Sequence, residues 1–316
     1  LVHCNDWMTG LVPAAARRMG IPCLFTVHNI HTQEVTLERI ENTGIDAAEF
    51  WQHLYYMRQP WNYEETRSAN KVDLLASGIF ASHFINTVSP TFLEEVVRGW
   101  FDFIPDSVRQ EIRGKYHAGC ATGILNAPDA SYDPANAKAV VLGCFDNGAP
   151  ILRVKAQNKV HFQECVGLET DPTAPLFLWP SRLDPVQKGC QLLSDILYRF
   201  VSAHWGDKVQ FAVVANGPYQ DVFSHITHFH NIESRVAVVD FHEDLSRLGF
   251  AASDFILMPS LFEPCGLPQM IAPMYGSLTV AHDTGGLHDT VWDLDVAGNA
   301  GNGFLFKNYD SGGLWW

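Results

Sequence analysis

The chain has 316 residues, of which 47% are hydrophobic and 18% charged, with 21 Lys and Arg against 35 Asp and Glu for a formal net charge of -14. That composition supports a substantial core and excludes a disordered chain. A surface this acidic repels nucleic acid and anionic membrane, so neither is expected as a partner, and an anionic substrate would need a local basic pocket.

From the first residue, "LVH" at Leu1 reads as the end of a strand already under way, so the expectation is a chain that continues upstream. "PCLFTVH" (22–28) and "FINTV" (84–88) read as strands, while "TGLVPAAARRMG" (9–20) and "KVDLLASGIFASH" (71–83) have helical apolar spacing. Between them, the segment 31–70 is irregular and carries Trp51, Tyr55, Tyr56, Trp61 and Tyr63. These rings suit core or lid packing, or a platform for sugar rings. The stretch 126–146, rich in Ala, Asp, Asn and Pro, suits a connector between two α/β halves. Beyond it come "APLFLWP" (174–180), "VQFAVVAN" (209–216), "RVAVVDF" (235–241) and "FILMP" (255–259), each followed by a helical pattern such as "CQLLSDILYRFVSAHW" (190–205). Continuous apolar strands alternating with helices predict parallel sheets covered on both faces. The expected organisation is two α/β domains, 1–146 (with the linker) and 147–316. Seven scattered cysteines without a CxxC pair read as reduced thiols of a cytoplasmic protein. There is no run of about 18 apolar residues, so no transmembrane helix is expected, and no signal peptide is visible.

In open parallel sheets, ligands sit beyond the carboxyl ends of the strands, so the residues just after each strand carry the information. They are Asp6, His28 and Asn126 in the first half, and Arg182, Lys188, Gly217, Glu263 and Thr284-Gly285-Gly286 in the second. Arg182 and Lys188, in "SRLDPVQKG", can clamp a diphosphate whose charge grows as a bond to it breaks; the alternative is a solvated surface loop. The Gly-Gly corner at 284–286 can offer backbone N–H groups to a phosphate, or be an ordinary turn. Glu263 lies in "LMPSLFEPCGLPQM", where a helix starting near Gly266 would accept its carboxylate at its N-terminus; the other reading is a carboxylate gripping sugar or ribose hydroxyls. His28 is either a proton-moving group or a satisfied core histidine, and Asp6 either a cap for a helix near Met8 or a cleft charge. No G-x-G-x-x-G occurs, which argues against a bound dinucleotide. His225, His228 and His230 read as a polar helix surface rather than a zinc site, and Asp293-Leu294-Asp295 sits too late in a loop for a metal triplet; no metal is expected.

In order along the chain, "NDWMTGLVPA", "FTVHNI", "INTVSPTF", "GILNAPD", "PSRLDPVQKG" and "PSLFEPCGLPQMIAPMYGSLTVAHDTGGLHDTV" resemble bacterial glycogen synthases and plant starch synthases. The resemblance spans nearly the whole chain and implies the GT-B fold, two Rossmann-like domains facing across a cleft, here with an incomplete N-terminal domain. It implies transfer of glucose from ADP-glucose to the 4-hydroxyl at the non-reducing end of an α-1,4-glucan, with retention and without metal or cofactor. ADP-glucose or UDP-glucose would be a substrate, the glucan the acceptor, and the compartment the cytoplasm, or the plastid of a plant or alga. It further implies that Arg182 and Lys188 stabilise the leaving phosphates. Glu263, His28 and Asp6 would lie near the donor sugar, Asn126 would line the cleft, and Thr284, Gly285 and Gly286 would bind the diphosphate.

Departures from the family pattern are plain. One extra residue separates Arg182 from Lys188, with Pro185 inside. Leu261 replaces an arginine before F-E-P-C-G, His282 and Asp283 replace an arginine pair before T-G-G-L, and Asn5 replaces the histidine of H-D-W. The early lysine and double-glycine loop of the family has no match. Two other readings follow. One is a catalytically dead glucan-binding or regulatory relative, which the longer loop and Asp283 favour. The other is a GT-B enzyme with a different acceptor, whose E-x7-E pattern is broken by Ile271.

Overall fold

The computed structural model describes residues 1–135 and 151–316. Its first unit, Leu1–Leu125, contains β1 (Val2–Asn5), β2 (Cys23–Val27), a short antiparallel pair of β3 (Glu34–Val35) and β4 (Val72–Asp73), β5 (Phe84–Thr87) and β6 (Ala121–Gly123). The main sheet runs β1-β2-β5-β6, all parallel. Cys23, Phe25, Thr26 and Val27 of β2 are buried, as a strand covered on both faces requires. The helix Leu74–Ala81 covers it so closely that a Cβ on Gly78 would lie 2.4 Å from the Phe25 ring. Asp73 starts that helix by accepting from the Ala76 amide at 2.8 Å.

The aromatic segment divides. Trp51 packs on Tyr63 with ring centroids 5.8 Å apart, and the Tyr56 hydroxyl donates to the Trp51 carbonyl at 2.8 Å. These rings serve the local core, whereas Trp61 is 85% exposed.

The second unit, Asn126–Trp316, holds β7 (Leu176–Trp179), β8 (Gln210–Val214), β9 (Val236–Val239), β10 (Phe255–Met258), β11 (Leu278–His282) and β12 (Gly303–Phe306). They form one parallel sheet in the order β12-β11-β10-β7-β8-β9. The chain winds outward from β7 to β9, then returns to place β10 beside β7 and winds the other way. The carboxyl ends of β7 and β10 therefore flank the point where the winding reverses, which is where the loops part and leave a crevice.

Alternation of side chains along each strand builds two apolar layers. Leu176, Leu178, Ile256 and Met258 face one, with Phe162 and Tyr275. Trp179, Phe211, Val213 and Leu257 face the other, with Leu193 and Phe223. Each fully buried leucine here contributes on the order of 2–3 kcal/mol. Of the expected connector, residues 136–146 lie outside the described residues, as do the expected boundary at 146/147 and Cys144. The described part belongs to the second unit: the Tyr132 carbonyl accepts from the Tyr275 hydroxyl at 2.8 Å, and Arg247 sits 4.2 Å over the Tyr132 ring.

Candidate active site

After β7 the chain must return to the sheet carrying one residue more than the family pattern allows. Asp184 absorbs it. Its Oδ1 accepts from the amides of Val186 (2.9 Å) and Gln187 (2.7 Å), and its carbonyl accepts from the Lys188 amide (3.1 Å). This turn pushes Pro185 and Val186 outward and brings Lys188 back to only 8% exposure. Two glycines fix the loop's surroundings. Gly217, at φ +146°, lets the loop after β8 approach Leu183, whose carbonyl would lie 2.6 Å from an added Cβ. Gly189, at φ +70°, touches the end of β10: an added Cβ would lie 1.9 Å from the Pro259 carbonyl.

The loop after β10 is fastened to this one. Gln187 supplies a carbonyl to the Leu261 amide at 2.8 Å, and its side-chain amide donates to the Phe262 carbonyl at 3.4 Å. At the centre, Lys188 Nζ donates to Glu263 Oε2 at 2.5 Å, and Ser260 Oγ donates to the same oxygen at 3.0 Å. Glu263 is 5% exposed. A buried ion pair roughly breaks even on stability, because desolvating both charges offsets their attraction; its presence here marks placement rather than strength. The expected helix start near Gly266 is corrected: the helix is Pro268–Ile271, and the partner of the Glu263 carboxylate is an ammonium, not a helix terminus. Cys265 follows, its thiol against the Asn126 backbone, and burial pushes that thiol up from its ordinary range.

The corner at Thr284-Gly285-Gly286 packs onto the same loop. Gly286 donates its amide to the Glu263 carbonyl at 2.9 Å, and its missing Cβ makes room for Cys265, whose carbonyl would be 2.0 Å away. Thr284 donates its amide to the His282 carbonyl at 2.9 Å. The amides of Thr284 and Gly286 are thus used within the chain, a correction to the expectation that they point at a phosphate. Asp283, the anion that replaces a family arginine, is partnered: its Oδ1 lies 2.6 Å from His288 Nδ1.

In the first unit, Asp6 stands at the end of β1 with φ 54°, a strained conformation for a residue with a side chain. Its Oδ1 accepts from the His28 amide (2.8 Å) and the Asn29 amide (3.3 Å). It makes no cap bond to the turn Trp7–Thr9, so the capping alternative is corrected. The half-buried His28 ring places Nε2 2.9 Å from Asn5 Oδ1. The ends of β1 and β2 are thereby tied together by the two residues expected to carry chemistry there.

Arg182 and Lys188 line one cavity of about 540 Å³, together with Ser181, Asn216 and Phe241. Phe241 is 54% exposed and follows β9; Asn216 follows β8 and accepts from the Phe241 amide at 2.9 Å through Oδ1. Both escaped the sequence reading, although the strand-end rule applied to "VAVVD" would have found Phe241. A larger depression of about 660 Å³, lined by Arg153, His161 and Glu164, runs along the helix Ile151–Val166, away from the strand ends. The histidines of the helix Gln220–His230 do not converge: His228 meets Glu233 at 2.8 Å, and His230 stacks on Tyr198 at 3.5 Å. Among the described residues no cluster of three His, Cys, Asp or Glu is placed to hold a metal.

Comparison with known proteins agrees with this arrangement. Residues 1–108 match the starch synthase catalytic domain family, and residues 174–314 match glycosyl transferases group 1. The glycogen synthase of Clostridioides difficile is 31% identical over 98% of this chain and 62% of its own length. That of Thermosipho melanesiensis is 32% identical over 99% of this chain and 63% of its own. The catalytic domain of starch synthase IV from Arabidopsis thaliana, bound to ADP and acarbose, superposes with a TM-score of 0.80 at 28% identity, covering 99% of this chain and 63% of that one. Sucrose-phosphate synthase from Thermosynechococcus elongatus, at 18% identity and a TM-score of 0.57 over 99% of this chain and 61% of that one, shares the fold. The chain spans about 62% of the length of the glycogen synthases it matches. With its two parallel-sheet units and its cation–carboxylate pair at the reversal point, it belongs to the glycogen and starch synthase family of glycosyltransferases, of the GT-B fold.

Proposed function

We propose that this protein transfers glucose from ADP-glucose to the 4-hydroxyl at the non-reducing end of an α-1,4-glucan, with retention of anomeric configuration and without a metal. The observation that carries the reading is the junction of Arg182, Lys188 and Glu263 where the ends of β7 and β10 meet. A nucleotide diphosphate leaving from a sugar gains negative charge, and two cations, the buried Lys188 and the exposed Arg182, stabilise that charge as it forms. Arg182 and Lys188 take this role. An ammonium has three N–H donors, so Lys188 can hold Glu263 and still reach a phosphate oxygen. Glu263 accepts from the donor's sugar hydroxyls. Asp6, His28 and Asn126 are assigned to the donor side, and Gly217, Thr284, Gly285 and Gly286 to the close packing of the loops around it. The exposed Phe241 ring offers a face to the base. The ADP and acarbose held by the starch synthase IV structure support an adenine nucleotide and an α-glucan.

The features that favoured a dead relative lose force. The Asp184 turn accommodates the loop with Lys188 buried against Glu263, and Asp283 is paired with His288. No helix among the described residues is long and apolar enough to cross a membrane; we assign the protein to the cytoplasm, or to the plastid in a plant or alga. The test is incorporation of labelled glucose from ADP-glucose into glycogen by the full-length protein. Arg182→Ala is expected to lower kcat by about 10²–10³. Glycogen binding without any turnover would overturn the reading in favour of a non-catalytic one.

A further inference from the structure

Around the Lys188–Glu263 pair runs a second layer of contacts that the expected roles leave unused. Its centre is His282, the last residue of β11, which stands where the family pattern has an arginine. His282 Nδ1 lies 2.8 Å from the Ser260 carbonyl oxygen, and a carbonyl only accepts, so the imidazole is the donor and its tautomer is fixed. The hydroxyl of that same Ser260 holds Glu263 Oε2 at 3.0 Å. The ring also meets the backbone of Lys307 beyond β12. It is wedged between Phe306 (centroids 5.5 Å) and Tyr309 (5.1 Å). Tyr309 in turn meets Gln191 at 3.1 Å, in the first turn of the helix that Lys188 leads into. One half-buried imidazole therefore touches the β10 loop that carries Glu263 and the end of β12 and, through Tyr309, braces the helix Cys190–Ala203 that follows Lys188.

We propose that His282 is a positioning residue for the Lys188–Glu263 pair, holding the Ser260 peptide so that its hydroxyl fixes the Glu263 carboxylate against the ammonium. The inference rests on the glucosyl-transfer reading for its kinetic consequence but not for its geometry. Arginine at this position would carry its charge well beyond the Ser260 peptide on a longer stem; imidazole ends at hydrogen-bond distance, packed between two tilted rings. Displacing a reacting group by about 1 Å costs on the order of 10²-fold in rate even when the change lies outside the contact shell.

The test uses the full-length protein with His282→Ala and His282→Asn; the asparagine amide can still donate to the Ser260 carbonyl. Kinetics with ADP-glucose and glycogen, thermal unfolding, and a crystal structure of each variant are measured together. His282→Ala is expected to lower kcat about 10- to 100-fold with the donor KM changed less than about threefold. In its crystal structure the Lys188–Glu263 contact is lengthened or broken. His282→Asn recovers most of the rate and restores the contact. Equal losses in both variants that track their fall in melting temperature would mean a merely structural histidine and overturn the proposal. So would an unaltered Lys188–Glu263 contact in the His282→Ala crystal. Should the unmodified protein itself show no turnover, the glucosyl-transfer reading falls, and the crystal structures alone decide the positioning role.

Discussion

Replacing Lys188 by alanine strands a carboxylate. In the native chain Lys188 Nζ and Glu263 Oε2 are 2.5 Å apart, with side chains 9% and 7% exposed. Without the ammonium, the Glu263 carboxylate keeps, among the described residues, the Ser260 hydroxyl at 3.0 Å. Removing one partner of a buried pair typically costs about 3–5 kcal/mol, and the surviving hydroxyl argues for the lower end, about 3 kcal/mol. For a unit the size of Asn126–Trp316, that corresponds to a fall in melting temperature of roughly 6–12 °C. Differential scanning calorimetry or urea unfolding of the full-length protein measures it. The double variant Lys188→Met, Glu263→Leu removes both charges and is expected to return to within about 1 kcal/mol of the native protein. On the proposed glucosyl transfer its activity is not expected to return, because the proposal assigns the ammonium to the charge developing on the leaving group; kcat of the single variant is expected to fall by about 10²–10³ with glucan binding little changed. A Lys188→Ala protein as stable as the native one, or a double variant no better than the single, would refute the buried-pair argument.

Other perturbations test neighbouring parts of the same structure. Gly189→Ala places a Cβ 1.9 Å from the Pro259 carbonyl at φ +70°, whereas Gly20→Ala, also at φ +70°, meets nothing within 4 Å. Thermal unfolding should show the second losing about 1 kcal/mol and the first at least about twice that. Phe241→Ala is expected to raise the donor KM about 3- to 10-fold with kcat changed less than about twofold, since it removes the ring face proposed for the base and no reacting group. Burial pulls the Lys155 amine down to about 8, although Nζ donates to the Tyr275 carbonyl and Ser277 Oγ, each at 3.0 Å. Between that value and the ordinary lysine range the unfolded chain binds more protons, so this group makes stability rise with pH there. Relative to Lys155→Met, the native protein should gain up to about 1 kcal/mol per pH unit above about pH 8, measured by urea unfolding at several pH values.

Much of this molecule is local in origin. Apolar runs such as "LFLW", "QFAVV" and "FILM" are long enough for strands and bounded by helical patterns, and burial of both faces follows from their having no polar alternation. The rule that ligands sit beyond strand ends singled out Asp6, His28, Arg182, Lys188 and Glu263 as candidates from residue type and position alone. The order β12-β11-β10-β7-β8-β9 is another matter. It decides that the loops after β7 and β10 are neighbours, and so that Lys188 meets Glu263 across 75 positions of sequence. It also sets why the amides of Thr284 and Gly286 are used internally, why Phe241 shares a cavity with Arg182, and why His282 reaches Ser260. Hydrophobic period and turn chemistry are properties of a few adjacent residues. The partner of a charge is a property of which strands lie side by side, and only the packed sheet determines that.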